Sequence, residues 1–225
     1  MFLLLVLASL GLSAFFLIRG SQTLDSGVAP QGYTLVIDPG HGGIDGGAIS
    51  DNGTKESDIN LAIAVKLRAL AELIGQPFVM TRTDDSSRSS YADYSEHEDL
   101  VQRVKLVNDT PGAVLVSIHQ NDFPTSQPSG AQVLYARDAD SESLGKRTHH
   151  NLIQCLDPQN RRVAEPAPRA LYLTANVSCP AILVECGFMS NNFEVEKLND
   201  PKYQCSIALV LTGSLLQFFD EIEMV

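Results

Sequence analysis

The chain has 225 residues, 44% hydrophobic and 19% charged, with 16 Lys+Arg against 27 Asp+Glu and a formal net charge of −11. That length suits one domain with a short extension and a core that needs no disulfide staples. The apolar content excludes disorder, and an acidic field with no Trp and 7% aromatic residues excludes a nucleic-acid binder.

Residues 2–18 (FLLLVLASLGLSAFFLI) carry no charge and end at Arg19, near the lower length limit for crossing a bilayer. Residues 1–19 read as a signal anchor or signal peptide. The anchor is favoured because the run lacks a basic n-region and Ala14 is followed by more apolar residues. Residues 20–31 (GSQTLDSGVAPQ) are small and polar, a linker, and leave 32–225 as one domain outside the cytoplasm. The four cysteines, Cys155, Cys179, Cys186 and Cys205, form no C-x-x-C pair. A zinc knuckle or dithiol redox motif is therefore unsupported, and most are expected to be small core hydrophobes.

In chain order, Thr34–Ile37 reads as a buried strand that stops at Asp38-Pro39-Gly40. Ser57–Ile74 has helical apolar spacing and ends at Gly75. Pro77–Thr81 is a second strand, Asp84–Asp99 a polar surface loop, and Glu96–Val107 a helix. Ala113–Ile118 and Ala131–Tyr135 are strands, followed by a polar-rich helix over Ser141–Cys155. Ala170–Leu173 and Pro180–Val184 complete the strands, and Tyr203–Phe219 is a closing helix. Strands alternating with helices predict a single α/β domain with a mostly parallel central sheet flanked by helices, behind the N-terminal hydrophobic helix.

Four acid/base or metal-capable side chains fall at the edges of this framework. His41 follows the first strand, Glu56 enters the first long helix, His119 ends the third strand, and Glu185 ends the late one. Open α/β sheets bind ligands beyond the carboxyl ends of their strands, where His41, His119 and Glu185 can converge. Two His, one carboxylate and a water make a tetrahedral catalytic zinc set. Plainer explanations exist for most of them. His41 sits in a glycine-rich turn, and Glu56 suits the positive end of a helix dipole. Glu185 is harder to dismiss, because an acid after AILV is costly unless paired or functional. The run GHGGIDGG matches no phosphate-binding loop. His97, His149 and His150 are expected on the surface, and strand alternation aims Cys186 away from Glu185.

The motifs VIDPGHGGIDGGA (36–48), ESDINLAIA (56–64), TRTD (81–84), SIHQN (117–121) and LVECGFMSN (183–191) occur in an order that resembles the zinc-dependent N-acetylmuramoyl-L-alanine amidases of the amidase-3 type. The resemblance implies Zn2+ held by His41, Glu56 and His119, with Glu185 as the catalytic base that also protonates the leaving amine. Asp38 or Asp45 would orient a histidine. Asn121, Arg161 and Arg162 would meet a stem-peptide carboxylate. The substrate implied is peptidoglycan, cut between N-acetylmuramic acid and L-alanine. Segments such as DLVQRVKLVN (99–108) and ALYLTANVSCP (170–180) further resemble the germination-specific amidases of endospore formers. They imply a role in spore cortex on the way to muramic-δ-lactam, with the enzyme in the forespore envelope or cell wall. A vegetative cell-wall amidase is the alternative, and a wall-binding module with a structural zinc ranks last. A regulatory or targeting protein partner is compatible with the pattern, and membrane contact is expected through the N-terminal segment only.

Overall fold

The computed structural model describes residues 32–90 and 93–223. Six strands, β1 (Thr34–Pro39), β2 (Phe78–Met80), β3 (Ala113–Asn121), β4 (Gln132–Tyr135), β5 (Glu165–Pro166) and β6 (Ala181–Phe188), form one sheet in the order β2-β1-β3-β6-β4-β5. All neighbouring strands run parallel except β4 and β6, which are antiparallel. The expected mostly parallel α/β sheet is therefore present. The central strands read as continuous apolar runs because both of their faces are covered.

Among the described residues six helices flank the sheet: α1 (Glu56–Ile74), α2 (Glu96–Asp109), α3 (Ala139–Leu156), α4 (Tyr172–Asn176), α5 (Asn192–Asn199) and α6 (Pro201–Glu223). Alternation along the strands divides the core in two. Leu35, Ile37, Val116, Ile118, Ile182 and Val184 point into the larger layer with α1, α3 and α6. Val36, Leu115 and Ala181 point the other way, into a smaller layer with Val107 of α2 and Leu173 of α4. Each such side chain, fully buried, contributes about 1.5–3 kcal/mol of hydrophobic stabilisation.

Helix α1 stops at Gly75, whose left-handed φ of 73° lets the backbone turn back onto Ala71 and Glu72. Along α6, the stretch Pro201–Ile222 is long and apolar enough to cross a membrane by length and composition. Its Ile207, Ala208, Leu211, Leu215, Phe218 and Phe219 are nevertheless buried in the larger layer, as in a core helix.

Several expectations are corrected. Ala170–Leu173 is a turn leading into α4 rather than a strand. Pro166 and Pro168 deny ladder donors just upstream, so the sheet edge ends at two-residue β5. Helix α5 was not anticipated, although Asn191 caps it through Phe193 N and Glu194 N. The polar segment Asp84–Asp99 is not wholly superficial, because Ser89 and Asp99 are buried. Strands β3 and β6 run past His119 and Glu185 instead of ending there. Of the cysteines only Cys186 is buried; Cys155 and Cys205 are exposed on helices, Cys179 is half-buried, and all four are free thiols. His149 is 5% exposed, with Nε2–H donating to the Arg162 carbonyl, whereas His97 and His150 are exposed as expected. The apolar run over residues 1–19 and the linker over 20–31 lie outside the described residues.

Candidate metal centre

A cleft of about 290 Å³ opens on the α2/α4 side of the sheet, at the carboxyl ends of β1, β3 and β6. His41, Glu56, His119, Asn121 and Glu185 all line it. His41 enters from the β1–α1 loop, and Glu56 is the first residue of α1. His119 and Glu185 rise from adjacent strands in direct register. Even-numbered Cys186 points into the opposite layer, as strand alternation predicts.

One candidate ligand atom from each of His41, Glu56 and His119 lies within 4.8 Å of the others. His41 Nε2 is 3.3 Å from Glu56 Oε2, and His119 Nδ1 is 3.0 Å from Glu56 Oε1. Two ligands each about 2.1 Å from a tetrahedral ion stand roughly 3.4 Å apart, close to the two His–Glu separations, and two imidazoles with one carboxylate suit zinc in chemistry.

His41 and Glu56 are held by further contacts. Asp45 Oδ2 accepts from His41 Nδ1 at 2.6 Å, which leaves Nε2 facing the centre. Asp45 is therefore the orienting acid. Asp38 is instead buried in a different role, accepting from Thr81 Oγ1, Ser117 Oγ and Arg103 Nη1 at 2.6, 2.6 and 2.7 Å. Glu56 accepts from Ala48 N and Gln120 N, both at 3.0 Å, and from Asn60 Nδ2 at 3.3 Å.

Glycines make room for this approach. A Cβ on Gly40 would lie 2.2 Å from His119 Cε1 and Nε2, and one on Gly47 would lie 2.6 Å from Glu56 Oε2. His41 itself has φ of 60°, and it is alone among described non-glycine residues in having a positive φ. That conformation costs about 1–2 kcal/mol and is held by its surroundings.

The titratable groups of the cleft are shifted in opposite directions. Burial works against ionisation of Glu56, but hydrogen bonds from His119 and His41 outweigh it and hold the carboxyl far below its usual range. Burial likewise opposes charge on His41, yet its bonds to Asp45 and Glu56 raise its pKa to about 10. Glu185 moves the other way, pushed up to about 7 by burial, with the negative charge of Glu56 adding to the rise and His119 and His41 opposing it. Its Oε2 is buried without a hydrogen-bond partner, aligned for none of the protein's own donors.

Arg161 and Arg162 are not brought to this cleft; they line a separate surface hollow with Asp157 and Gln159. Their guanidiniums are engaged locally, Arg161 with Pro158 O and Arg162 with Ser129 O. Arg162 also stacks over the Phe188 ring at 4.4 Å. Sequence reasoning misses the cleft wall formed by Leu171, Tyr172 and Leu173, whose apolar composition predicts a strand. It also missed Arg82 and Arg103, fully internal cations that only their positions in TRTD and on an amphipathic helix hinted at.

A family model described as N-acetylmuramoyl-L-alanine amidase matches residues 35–216. The germination-specific N-acetylmuramoyl-L-alanine amidase of Bacillus subtilis is 35% identical over 196 residues, covering 85% of this chain and 81% of that one. The N-acetylmuramoyl-L-alanine amidase LytC of Bacillus subtilis is 27% identical over 223 residues, with the match covering 95% of this chain and 42% of LytC. Among solved structures, the CwlD amidase of Clostridioides difficile in complex with the GerS lipoprotein superposes with a TM-score of 0.79 at 36% identity, over 84% of this chain and 98% of that one. With the fold, the cleft and these matches in agreement, the chain belongs to the N-acetylmuramoyl-L-alanine amidase family, enzymes of peptidoglycan hydrolysis.

Proposed function

We propose that the chain hydrolyses the amide between N-acetylmuramic acid and L-alanine as a zinc enzyme, with His41, Glu56 and His119 as ligands and Glu185 as the acid–base residue. The observation that carries the reading is the convergence of three ligand atoms beside a buried, unpartnered carboxylate oxygen of Glu185. Zinc, when bound, supplies a Lewis acid that polarises the scissile carbonyl and lowers the pKa of a water.

The remaining work falls to the chain's own side chains. Glu185, poised near neutrality, accepts a proton from the attacking water and delivers it to the L-alanine amine as the C–N bond breaks. Asp45 keeps His41 in the tautomer that presents Nε2 to the cleft. Asn121, at the end of β3, offers its amide to the stem peptide. The low-polarity wall of Leu171 and Leu173 limits water around the reacting bond and strengthens each electrostatic contact there.

The physiological substrate in this reading is spore-cortex peptidoglycan, freed of stem peptide before conversion to muramic-δ-lactam. Similarity to the germination-specific amidase supports it. Residues 1–19 anchor or export the chain, 20–31 link, and 32–225 catalyse outside the cytoplasmic membrane. A protein partner is part of the proposal, supported by the lipoprotein bound to the CwlD neighbour.

The test is digestion of purified cortex and vegetative peptidoglycan, with and without a chelator, read by mass spectrometry. Stem peptides beginning at L-alanine should appear, vanish with chelator and return with added zinc. Release that ignores the chelator would overturn the zinc reading. Equal release from both substrates would remove the cortex assignment.

A further inference from the structure

At the end of β1, three successive carbonyls turn inward and end on two buried guanidinium groups. Pro39 O accepts from Arg82 Nε and from Arg103 Nη1, both at 2.9 Å. Gly40 O accepts from Arg82 Nη2 at 3.0 Å and from Asn60 Nδ2 at 3.2 Å. His41 O accepts from Arg103 Nη2 at 2.7 Å. The two side chains are 4% and 2% exposed, so these bonds are not shared with solvent.

Each arginine also reaches a second element. Arg82 Nη2 donates to Ser57 O at 2.8 Å, which ties the loop to the first turn of α1, next to Glu56. Arg103 Nε donates to Asp99 Oδ2 at 2.6 Å and its Nη1 to Asp38 Oδ1 at 2.7 Å, which fixes the guanidinium plane between α2 and β1. Asp99 is itself fixed by the backbone amides of Arg88 and Ser89. Asn60 continues the network to Glu56 Oε1 and to Gln120, the residue after His119.

We propose that Arg82 and Arg103 are positioning residues of the zinc site: by gripping the carbonyls of Pro39, Gly40 and His41 they hold His41 in its left-handed conformation and set its Nε2 against Glu56. A left-handed histidine returns to the ordinary region unless something fixes it, and a carbonyl locked by a planar, two-pronged donor does so. Lysine keeps the charge but offers a point donor without the fork, so it cannot serve the two carbonyls and two carboxylates that Arg103 holds, nor the carbonyls that Arg82 spans. Neither arginine needs to touch substrate for the effect. Their influence reaches the reaction through the geometry of one imidazole and through the start of α1.

The inference rests on the reading that His41 ligates zinc, and the experiment separates the two. Zinc dissociation constants are measured by competition with a chromophoric chelator on the full chain. The proteins compared are wild type, Arg103→Lys, Arg82→Lys and His41→Ala, with circular dichroism and thermal melts of the metal-free forms alongside. Both arginine variants should bind zinc about 10–100-fold more weakly. KM for peptidoglycan should stay at the wild-type value once zinc is saturating. His41→Ala should weaken zinc at least as much. A folded arginine variant with wild-type zinc affinity overturns the positioning role, and a lower melting temperature alone would mark a merely structural one. If Arg103→Lys does not fold, Arg82→Lys decides, because it leaves the Asp38 and Asp99 pairs intact. Wild-type zinc affinity in His41→Ala instead removes the ligand assignment on which the inference stands.

Discussion

Glu185 sits directly opposite His119 in the register between β6 and β3, so both side chains rise from the same face of the sheet into one cleft. In parallel neighbours a one-residue slip would turn either of them into the core. The register that fills the larger hydrophobic layer with Ile118 and Val184 is therefore the same register that delivers the acid beside the imidazole.

Glu185→Gln removes the proposed acid–base group without removing a proposed ligand. Zinc content, measured by metal analysis, should stay at the wild-type level while kcat falls about 10²–10⁴-fold. Loss of zinc from the variant would instead make Glu185 a ligand.

Gly40→Ala places a methyl where the His119 ring lies 2.2 Å away. The ring must move, and zinc affinity should fall about 10–100-fold. Gly53→Ala is the control. Its φ of 84° is strained for alanine, but nothing lies within 4 Å of the new Cβ. It should lose about 1–2 kcal/mol of stability through backbone strain and leave zinc affinity unchanged.

Asp38 links stability to pH. Burial resists its ionisation, yet Arg103, Ser117 and Thr81 lower its pKa from 3.8 to about 2. The unfolded chain therefore binds the proton more readily, and the stabilisation is complete above pH ~4–5 and lost as pH falls through about 2. The contribution is about 2 kcal/mol. Urea denaturation of wild type and Asp38→Asn at pH 6 and pH 2.5 should show the gap between them narrowing in acid. A constant gap would mean that the carboxyl is not held ionised.

Arg161→Ala should leave KM for peptidoglycan unchanged, because its guanidinium bonds its own loop outside the cleft. Asn121→Ala should raise KM with little change in zinc affinity, since Asn121 lines the cleft and is not among the clustered ligand atoms. Steady-state kinetics on soluble peptidoglycan fragments distinguish the two.

The parts of this protein legible in its sequence are those with a local signature. Buried strands such as AVLVSI and the helix ending at Gly75 announce themselves by period and by turn chemistry. His41, Glu56, His119 and Glu185 stand out because polar residues interrupt apolar runs or glycine turns. What stayed hidden depends on distant partners. Arg103 looks like any charge on an amphipathic helix until Asp38 and the Pro39 carbonyl, more than sixty positions away, close around it. The run at Ala170–Leu173 has strand-like composition but no open ladder beside it, so it became a wall of the cleft. Arg161 and Arg162 looked available for substrate because nothing local shows that Ser129 and Phe188 occupy Arg162.

The sheet ends on one side in three-residue β2 and on the other in two-residue β5. Rims this short give a passing strand almost nothing to zip onto, and Pro166 withholds one amide from the little that remains. A folded chain with such rims is thereby shielded from being drafted into the aggregates of its neighbours, whatever its catalytic state.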